Sequence, residues 1–231
     1  NAAAYLEKAV TSALFHSEVK EVVVVNDGST DNSLPILQKL QQSDARIKIY
    51  HHENNSNKGR SASRNLALKK ATQPFIAFLD ADDFYLENRF EADKQLFESD
   101  NTIEGVYNAI GVHFYRAFSV DEYNELALTT VTEPIPPQEL FDYLLNDKKG
   151  YFSIDGLTIK REVLNKIGLF QEHLVVAEDT DWLLKMALTS KLVAGNIKEA
   201  VAMRGVHDAN IFNQTEQYKV HRQKMYESVI R

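Results

Sequence analysis

The sequence predicts an α/β fold in which helices flank a mostly parallel central sheet. Two short apolar runs, at 22–25 and 75–79, end directly in turn or acidic residues, as strands buried in a parallel sheet do. Residues 46–51 alternate between apolar and polar, which is the pattern of a half-exposed strand. Segments with apolar residues three and four positions apart lie between these strands. Alternating strands and helices along a chain indicate parallel βα units.

The same patterns place the elements in chain order. A helix over 1–15 comes first, and its apolar stripe consists of Tyr5, Leu6, Ala9, Val10, Ala13 and Leu14. Further helices are predicted from 33, from 59, over 86–99, over 138–146 and from 178, and a further strand over 105–115. The proline-rich connector at 132–137 marks a soft boundary inside the chain.

The composition excludes several classes of protein. The chain has 231 residues, of which 44% are hydrophobic and 26% charged, as in an ordinary soluble globular protein with a sizeable core. There are 26 basic and 33 acidic residues, and a net charge of −7 argues against a dedicated nucleic-acid binder. The absence of cysteine excludes structural disulfides and thiolate chemistry. No run of 18 apolar residues and no signal peptide is present, so we expect a cytoplasmic catalytic or binding domain.

The strand at 75–79 is followed by three carboxylates, Asp80, Asp82 and Asp83. In open α/β sheets, ligands bind at the carboxyl ends of the strands. Adjacent carboxylates repel one another, and Mg²⁺ or Mn²⁺ bound by carboxylate and phosphate oxygens would compensate that charge. The pattern therefore favours a metal–diphosphate site. Two other interpretations stay open: a solvated acidic turn, and the Asp-x-Asp of a haloacid-dehalogenase-type phosphatase with Asp80 as nucleophile.

Two further polar groups lie at predicted element ends. Asp27, within Asn-Asp-Gly at 26–28, follows the valine strand. The helix that begins after Gly59 opens with small residues, so its free N–H groups could approach an anion, and Arg64 adds a cation one turn into the helix. The alternatives are a tight turn without further function and an exposed basic helix start.

Three motifs in this order resemble the nucleotide-sugar half of family 2 glycosyltransferases of the GT-A fold. They are Asn-Asp-Gly-Ser-Thr-Asp at 26–31, Asn-x-Gly-x-Ser-x-x-Arg-Asn-x-Ala at 57–67 and Phe-Leu-Asp-Ala-Asp-Asp at 78–83. The resemblance implies a GT-A (Rossmann-like) fold and inverting transfer of a sugar from a nucleotide diphosphate donor, such as a UDP-sugar. Bacterial polysaccharide or glycolipid synthesis is the family-level expectation.

The resemblance also bears on how the chain is organised. It implies a single domain over 1–231, with a nucleotide-sugar-binding half at 1–100 and an acceptor-binding half at 101–231. In that family, a first strand ending in a Pro-x-Tyr-Asn-like sequence precedes the first helix. The resemblance therefore implies that this strand is missing ahead of Asn1.

For the donor, the resemblance assigns roles residue by residue. Asp27 is expected to read the uracil or ribose, Arg64 to contact the base or a phosphate, and Asp80 to lie near the ribose. Asn26 and Gly59 are expected to contact the donor as well.

For the metal, the resemblance points to Asp82 and His207 as ligands of Mn²⁺ or Mg²⁺. Asp82 matches the last Asp of the Asp-x-Asp motif, and Asp83 would support it. His207 resembles a late histidine of the family that approaches the metal or the diphosphate, although a lone histidine can also be structural.

For the acceptor, a saccharide or lipid-linked saccharide, the segment at 177–182 is similar to the family's Glu-Asp motif. Asp179 matches the proposed catalytic base, and Glu178 and Trp182 are expected to contact the acceptor. Two interpretations without function stay open: acids in a first helical turn stabilise the helix dipole, and Trp182 could pack in the core.

The basic segment at 219–231 could touch an anionic membrane surface, which would place the protein peripherally at the inner face of the membrane, or it could be a solvated helix. Two rival functions also stay open: a non-catalytic nucleotide-sugar-binding domain, and a metal-dependent phosphohydrolase.

Overall fold

The protein was analysed as a computed structural model that describes residues 1–210 and 223–229. The helices are α1 (Leu6–Leu14), α2 (Ser33–Ser43), α3 (Arg60–Lys70), α4 (Glu91–Ser99), α5 (Val120–Leu126), α6 (Leu140–Leu145), α7 (Leu164–Ile167) and α8 (Glu178–Thr189). The strands are β1 (Val22–Asn26), β2 (Ile47–His51), β3 (Phe75–Ala77), β4 (Phe84–Tyr85), β5 (Gly105–Tyr107), β6 (Ile110–Phe114), β7 (Leu128–Thr129), β8 (Leu157–Lys160), β9 (Leu192–Ala194) and β10 (Ala202–Val206). Residues 223–229 are also helical, whereas residues 219–222 and 230–231 of the predicted basic segment lie outside the described residues. Within the described ranges, every helix is too short or too polar to span a bilayer.

The strands form three sheets, ordered β1-β2, β3-β8-β5-β9 and β4-β10-β6-β7. The first is parallel, with Val22 opposite Ile47 and Asn26 opposite His51. The other two mix both directions: β8 is antiparallel to β3 and β5, and β10 is parallel to β6 but antiparallel to β4. The α/β class is as expected, but the sheets are mixed rather than mostly parallel, because strands from the second half of the chain insert in the opposite direction.

The two apolar runs are less enclosed than their sequences indicate. Residues Val22–Asn26 are mostly half-buried, and β3 is three residues long with Phe75 44% exposed. Among the described residues, no strand pairs with the edge of β1 opposite β2 or with the edge of β3 opposite β8. A cavity lined by both strands runs along these edges, which explains why the expectation of fully buried strands was wrong.

The strand predicted over 105–115 is broken into β5 and β6, which belong to different sheets. The break is at Asn108, whose buried side-chain amide donates to Asp93 Oδ1 (2.7 Å) and to the Gly156 carbonyl (2.9 Å). Its Oδ1 accepts the Asn196 N–H at 2.7 Å. These bonds hold the chain where it passes from one sheet to the other, and they join residues far apart in the sequence, so alternation alone could not reveal the break.

The largest apolar core lies between the sheet β3-β8-β5-β9 and helix α8. Trp182 and Met186 of α8 are completely buried in it, and the rings of Tyr107 and Phe152 stack with centroids 4.2 Å apart. A smaller core holds α1 and α2 against β1 and β2. The two cores fix the first turn of α8 and the ends of β1 and β3 around one cavity.

Candidate active site

Polar side chains from several elements line one cavity of about 1620 Å³. The cavity follows β1 and β3 and reaches the turn after β3, the first turn of α8 and the end of β10. The predicted site residues that line it are Asn26, Asp27, Arg64, Asp80, Asp82, Asp179 and His207.

Asp27 occupies the turn after β1 and is bound to the start of α3. Its Oδ1 accepts the Lys58 N–H at 2.6 Å, and its Oδ2 accepts the Gly59 N–H at 2.9 Å. Gly28 makes this approach feasible: its φ is +69°, and a Cβ there would lie 2.8 Å from the Asn55 carbonyl oxygen. Asn26 is buried, and its Oδ1 accepts the Ser29 N–H at 3.2 Å, so any effect of Asn26 on a donor would act through this turn.

Arg64 joins α3 to the acidic turn and to α8. Its Nη2 donates to both oxygens of Asp80 (2.8 and 3.1 Å), and its Nη1 donates to Glu178 Oε1 at 3.0 Å. Burial alone would lower the pKa of this guanidinium, but the charges of Asp80, Asp179 and Glu178 raise the pKa well above its ordinary value. Burial would likewise raise the pKa of Asp80, yet Arg64 keeps it below its usual range. Asp80 is therefore an ionised carboxylate held by one terminal nitrogen of Arg64, while the other terminal nitrogen holds Glu178.

The turn after β3 is fixed from two sides. Asp155 Oδ1 accepts the Asp80 N–H at 2.9 Å, and Asp83 Oδ1 accepts the Gly205 N–H at 2.7 Å. Asp83 also hydrogen-bonds to Asp155. Burial, reinforced by the charges of Asp155, Asp80 and Asp82, raises the pKa of Asp83 far above its ordinary value, so Asp83 carries the proton of this pair.

Asp82 is the acid of this turn that meets His207. Asp82 Oδ2 lies 3.0 Å from His207 Nε2 and accepts a bond from Asn210 Nδ2 at 3.2 Å. His207 Nδ1 accepts the Ala209 N–H at 3.2 Å, so the other ring nitrogen is the one that faces Asp82. The imidazole stacks on the ring of Tyr5 from α1, with centroids 4.7 Å apart. The structure thus brings together two residues 125 positions apart.

The first turn of α8 presents Asp179 to the cavity. Ala177, immediately before the helix, has φ +62° and ψ +16°, a left-handed conformation that a non-glycine residue seldom adopts. Asp179 is half-buried, and its Oδ1 accepts the Thr180 N–H at 2.8 Å. Strained backbone next to a carboxylate that lines a cavity is a feature of functional sites.

The model of the family described as Glycosyl transferase family 2 matches residues 1–168. The chain belongs to glycosyl transferase family 2. An uncharacterized glycosyltransferase of Haemophilus influenzae is 33% identical over 164 residues, which cover 70% of this chain and 59% of the relative. The chain therefore spans about three fifths of that relative's length.

Solved structures share this fold at low sequence identity. The crystal structure of S. aureus TarS 1-349 in complex with UDP-GlcNAc matches with a TM-score of 0.70 and 20% identity, over 97% of this chain and 62% of that chain. The mannosyltransferase PcManGT from Pyrobaculum calidifontis, in complex with GDP-Man and Mn²⁺, matches with a TM-score of 0.65 and 16% identity, over 100% of this chain and 61% of that chain. The expected GT-A fold is confirmed.

The donor atoms of this family 2 site suit a divalent cation of the Mg²⁺ or Mn²⁺ type. Asp82 is partly exposed, and its Oδ2 and His207 Nε2 converge, so both could bind one ion. Asp80, Asp83 and Asp155 also place one ligand atom each within 4.8 Å of the others. That second group is less suitable, because Asp80 is paired with Arg64, and the carboxylates of Asp155 and Asp83 already accept the N–H groups of Asp80 and Gly205. Asp82 and His207 therefore stay the predicted ligand pair, and the structure places their side chains 3.0 Å apart.

Two acceptor-side predictions were wrong. Trp182 is 0% exposed: its ring stacks on Phe170 at 4.5 Å, and its Nε1 donates to the Gly168 carbonyl at 3.2 Å. Glu178 is 1% exposed, and its Oε1 lies between Arg64 and Arg60. Both side chains point into the protein, because they lie on the face of α8 that packs on the sheet, so neither can contact an acceptor in this arrangement.

Three residues of the site were not predicted: Asp155, Arg204 and Asn210. Asp155 and Asn210 position the acidic turn and the Asp82–His207 pair, and Arg204 lines the cavity. Asp155 lies in Asp-Gly directly before β8, and an acid at that place was the signal in the sequence that could have pointed to it.

Proposed function

We propose that this chain is an inverting glycosyltransferase domain. It transfers a sugar from a nucleotide diphosphate donor, a UDP-sugar in the first instance, to a hydroxyl group of a saccharide or lipid-linked saccharide. The observation that carries the proposal is the common cavity of the Asp82–His207 pair and Asp179, which come from three different elements. A single displacement needs one carboxylate base and a stabilised leaving group, and this cavity offers both.

The donor would lie along the turn after β1 and the start of α3. Asp27, whose carboxylate is fixed by the N–H groups of residues 58 and 59, would face the nucleoside, and Arg64 and Asp80 line the same cavity. Gly59 precedes α3 at φ +88°, and its N–H binds Asp27 Oδ2, so Gly59 acts by positioning the Asp27 carboxylate that lines the cavity. In this proposal, Asn26 and Gly59 shape the donor pocket rather than read the donor through side chains.

Asp179 would act as the base. It accepts the proton of the acceptor hydroxyl as that oxygen forms a bond to the anomeric carbon. The bond from the anomeric carbon to the phosphate oxygen breaks at the same time, and the nucleoside diphosphate leaves with the electron pair. Attack from the face opposite the leaving group inverts the anomeric configuration.

Asp82 and His207 would hold Mn²⁺ or Mg²⁺, which supplies positive charge for the diphosphate. Asn210 and Asp83 keep these ligands in place through their bonds to Asp82 Oδ2 and to the Gly205 N–H.

The first test replaces the base. Asp179→Asn should retain UDP binding and lose sugar transfer by about 10²–10⁴-fold, the range for a positioned general base. The matched control is Asp142→Asn, which removes an exposed carboxylate from the first turn of α6. Sugar transfer is measured as UDP release in the presence and absence of acceptor saccharides. An Asp179→Asn protein that retains full transfer would exclude Asp179 as the base.

The second test is isothermal titration of UDP, with and without Mn²⁺, on the wild type and Asp82→Ala. We expect Mn²⁺-dependent binding that Asp82→Ala abolishes. UDP binding without release of UDP to any acceptor would indicate a non-catalytic nucleotide-sugar-binding domain. Hydrolysis of a generic phosphate ester without acceptor, lost in Asp80→Asn, would indicate a phosphohydrolase.

The proposed cellular setting follows from the resemblance to the family and not from the geometry of the cavity. We infer a cytoplasmic site, peripheral to the inner face of a bacterial membrane, and a role in polysaccharide or glycolipid synthesis. Fractionation of cells with an antibody to this chain would test the location.

A further inference from the structure

Arg204 is a cavity arginine that lies next to the acidic turn. It is in β10, and the following residue, Gly205, donates its N–H to Asp83 Oδ1 at 2.7 Å. A Cβ at Gly205 would lie only 2.1 Å from the Asp82 carbonyl oxygen, so the strand and the turn are in direct contact. Hydrogen bonding and close packing therefore fix the backbone of Arg204 relative to Asp82.

The three arginines that line the cavity differ in their partners. Arg64 is paired with Asp80 and Glu178, and Arg60 Nε lies 3.3 Å from Glu178 Oε1. Arg204 is half-buried, and within residues 1–210 and 223–229 its guanidinium donates no hydrogen bond and has no carboxylate within 4.0 Å. Its charge nonetheless reaches the turn: burial would raise the pKa of Asp80, and Arg64, Arg60 and Arg204 together lower it.

A half-buried guanidinium without an internal partner is available for an anionic ligand. Its planar set of N–H donors matches the oxygens of a phosphate group, and such charge-assisted bonds are among the strongest hydrogen bonds in proteins. The cavity is otherwise dominated by carboxylates, which would repel an anion. An anion at this turn therefore needs the metal and a cation of the protein beside it.

We propose that Arg204 binds the diphosphate of the nucleotide-sugar donor and stabilises the leaving nucleoside diphosphate. This inference rests on the proposed function. The position of Arg204 selects the diphosphate over the other parts of the donor, since the nucleoside pocket around Asp27 lies on β1 and α3, whereas Arg204 adjoins the turn that carries Asp82. When the bond from the anomeric carbon to the phosphate oxygen breaks, negative charge grows on that oxygen. The protonated guanidinium donates hydrogen bonds to it and transfers no proton.

The test compares three ligands on four proteins. UDP, UMP and uridine are titrated in the presence of Mn²⁺ against the wild type, Arg204→Gln, Arg204→Lys and the control Arg161→Gln, which removes an exposed arginine outside the cavity. Arg204→Gln should weaken UDP binding by about 10–100-fold, because it removes a charge-assisted hydrogen bond to phosphate. UMP binding should weaken less, and uridine binding should not change. Arg204→Lys should recover part of the loss, and Arg161→Gln should match the wild type.

Each other outcome overturns a defined claim. If Arg204→Gln binds UDP within twofold of the wild type, Arg204 does not bind the diphosphate. This conclusion holds even if transfer to an anionic acceptor falls, because Arg204 would then bind the acceptor instead. Equal losses for UDP and uridine overturn it as well, since the change then acts on the fold. If the folded wild type binds none of UDP, GDP and dTDP, the proposed function fails together with this inference. The wild type alone gives that result, so it is distinct from a failure of the Arg204 role, which requires a wild type that binds UDP.

Discussion

At the scale of single residues, two backbone conformations shape the candidate site. Gly28 has φ +69° and lies against the backbone of residues 55–57, which brings Asp27 to the start of α3. Ala177 has φ +62° and turns the chain into α8 directly before Glu178 and Asp179. Glycine at 28 is visible in the sequence as a turn signal, whereas an alanine with positive φ leaves no signal at all. The turn at Gly28 could therefore be predicted from the sequence, whereas the backbone conformation of Ala177 could not.

Gly28→Ala should lower both stability and nucleotide affinity. The added Cβ would meet the Asn55 carbonyl oxygen at 2.8 Å and the Asn57 nitrogen at 2.9 Å, so the loop must move and Asp27 with it. We expect the free energy of unfolding to fall by about 1–3 kcal/mol, measured in urea, and UDP binding to weaken in titration. The control is Gly168→Ala, also at positive φ but outside the cavity, which should lose stability and retain affinity. Wild-type affinity in Gly28→Ala would show that the loop contact does not position Asp27.

At the scale of elements, the first residues of the chain are tied to the start of α2. Asp31 accepts the Ala3 N–H through Oδ2 and the Ser33 N–H through Oδ1, both at 3.0 Å. Ser33 Oγ in turn accepts the Ala2 N–H at 3.0 Å. These bonds hold the chain that leads into α1 next to the turn that carries Asp27. The sequence predicts that Asp31 or Ser33 caps α2, because a helix cap depends on neighbouring residues. It does not predict the bond from the Ala3 N–H to Asp31, which joins residues 28 positions apart.

The Asp31 bonds make a pH-dependent contribution to stability. Hydrogen bonding from Ser33 and Ala3 lowers the pKa of Asp31 to about 2, below the value of about 3.9 in the unfolded chain. A depressed folded pKa gives stability that is fully present above about pH 4 and is lost as the pH falls towards 2. Asp31→Asn should therefore be less stable than the wild type at pH 7, with a difference that shrinks between pH 4 and pH 2 in denaturant titrations. A difference that is constant with pH would contradict this account.

At the scale of the whole molecule, the core around α8 joins the two halves of the sequence. Trp182 packs on Phe170 and Phe78, and Phe78 lies two residues before Asp80, the first acid of the turn. Arg64 makes a second link, because it binds Asp80 from the first half and Glu178 from the second. The separate halves at 1–100 and 101–231 stay a prediction, and the ligand cavity receives residues from both.

Trp182 provides the test of this core assignment. Trp182→Ala should lower the free energy of unfolding by about 3–5 kcal/mol, because it removes a fully buried aromatic ring. Trp182→Phe should be less destabilising and leave the KM for acceptor unchanged, since the ring does not reach the cavity. Phe15→Ala, at a ring that is 67% exposed, should change stability by less than about 0.5 kcal/mol. A Trp182→Phe protein with wild-type stability and weakened acceptor binding would restore the acceptor role.

The amino-acid sequence was enough to predict the family, the ends of β1 and β3, the start of α3 and the carboxylates at those ends. These features depend on short segments, in which apolar runs, glycines and acids are neighbours in the chain. Three features became visible only in the folded chain: His207 faces Asp82, Asp155 and Gly205 hold the acidic turn, and Trp182 and Glu178 are buried. The reason is physical: these contacts join residues far apart in the chain, and packing of distant segments leaves no periodic trace in a sequence.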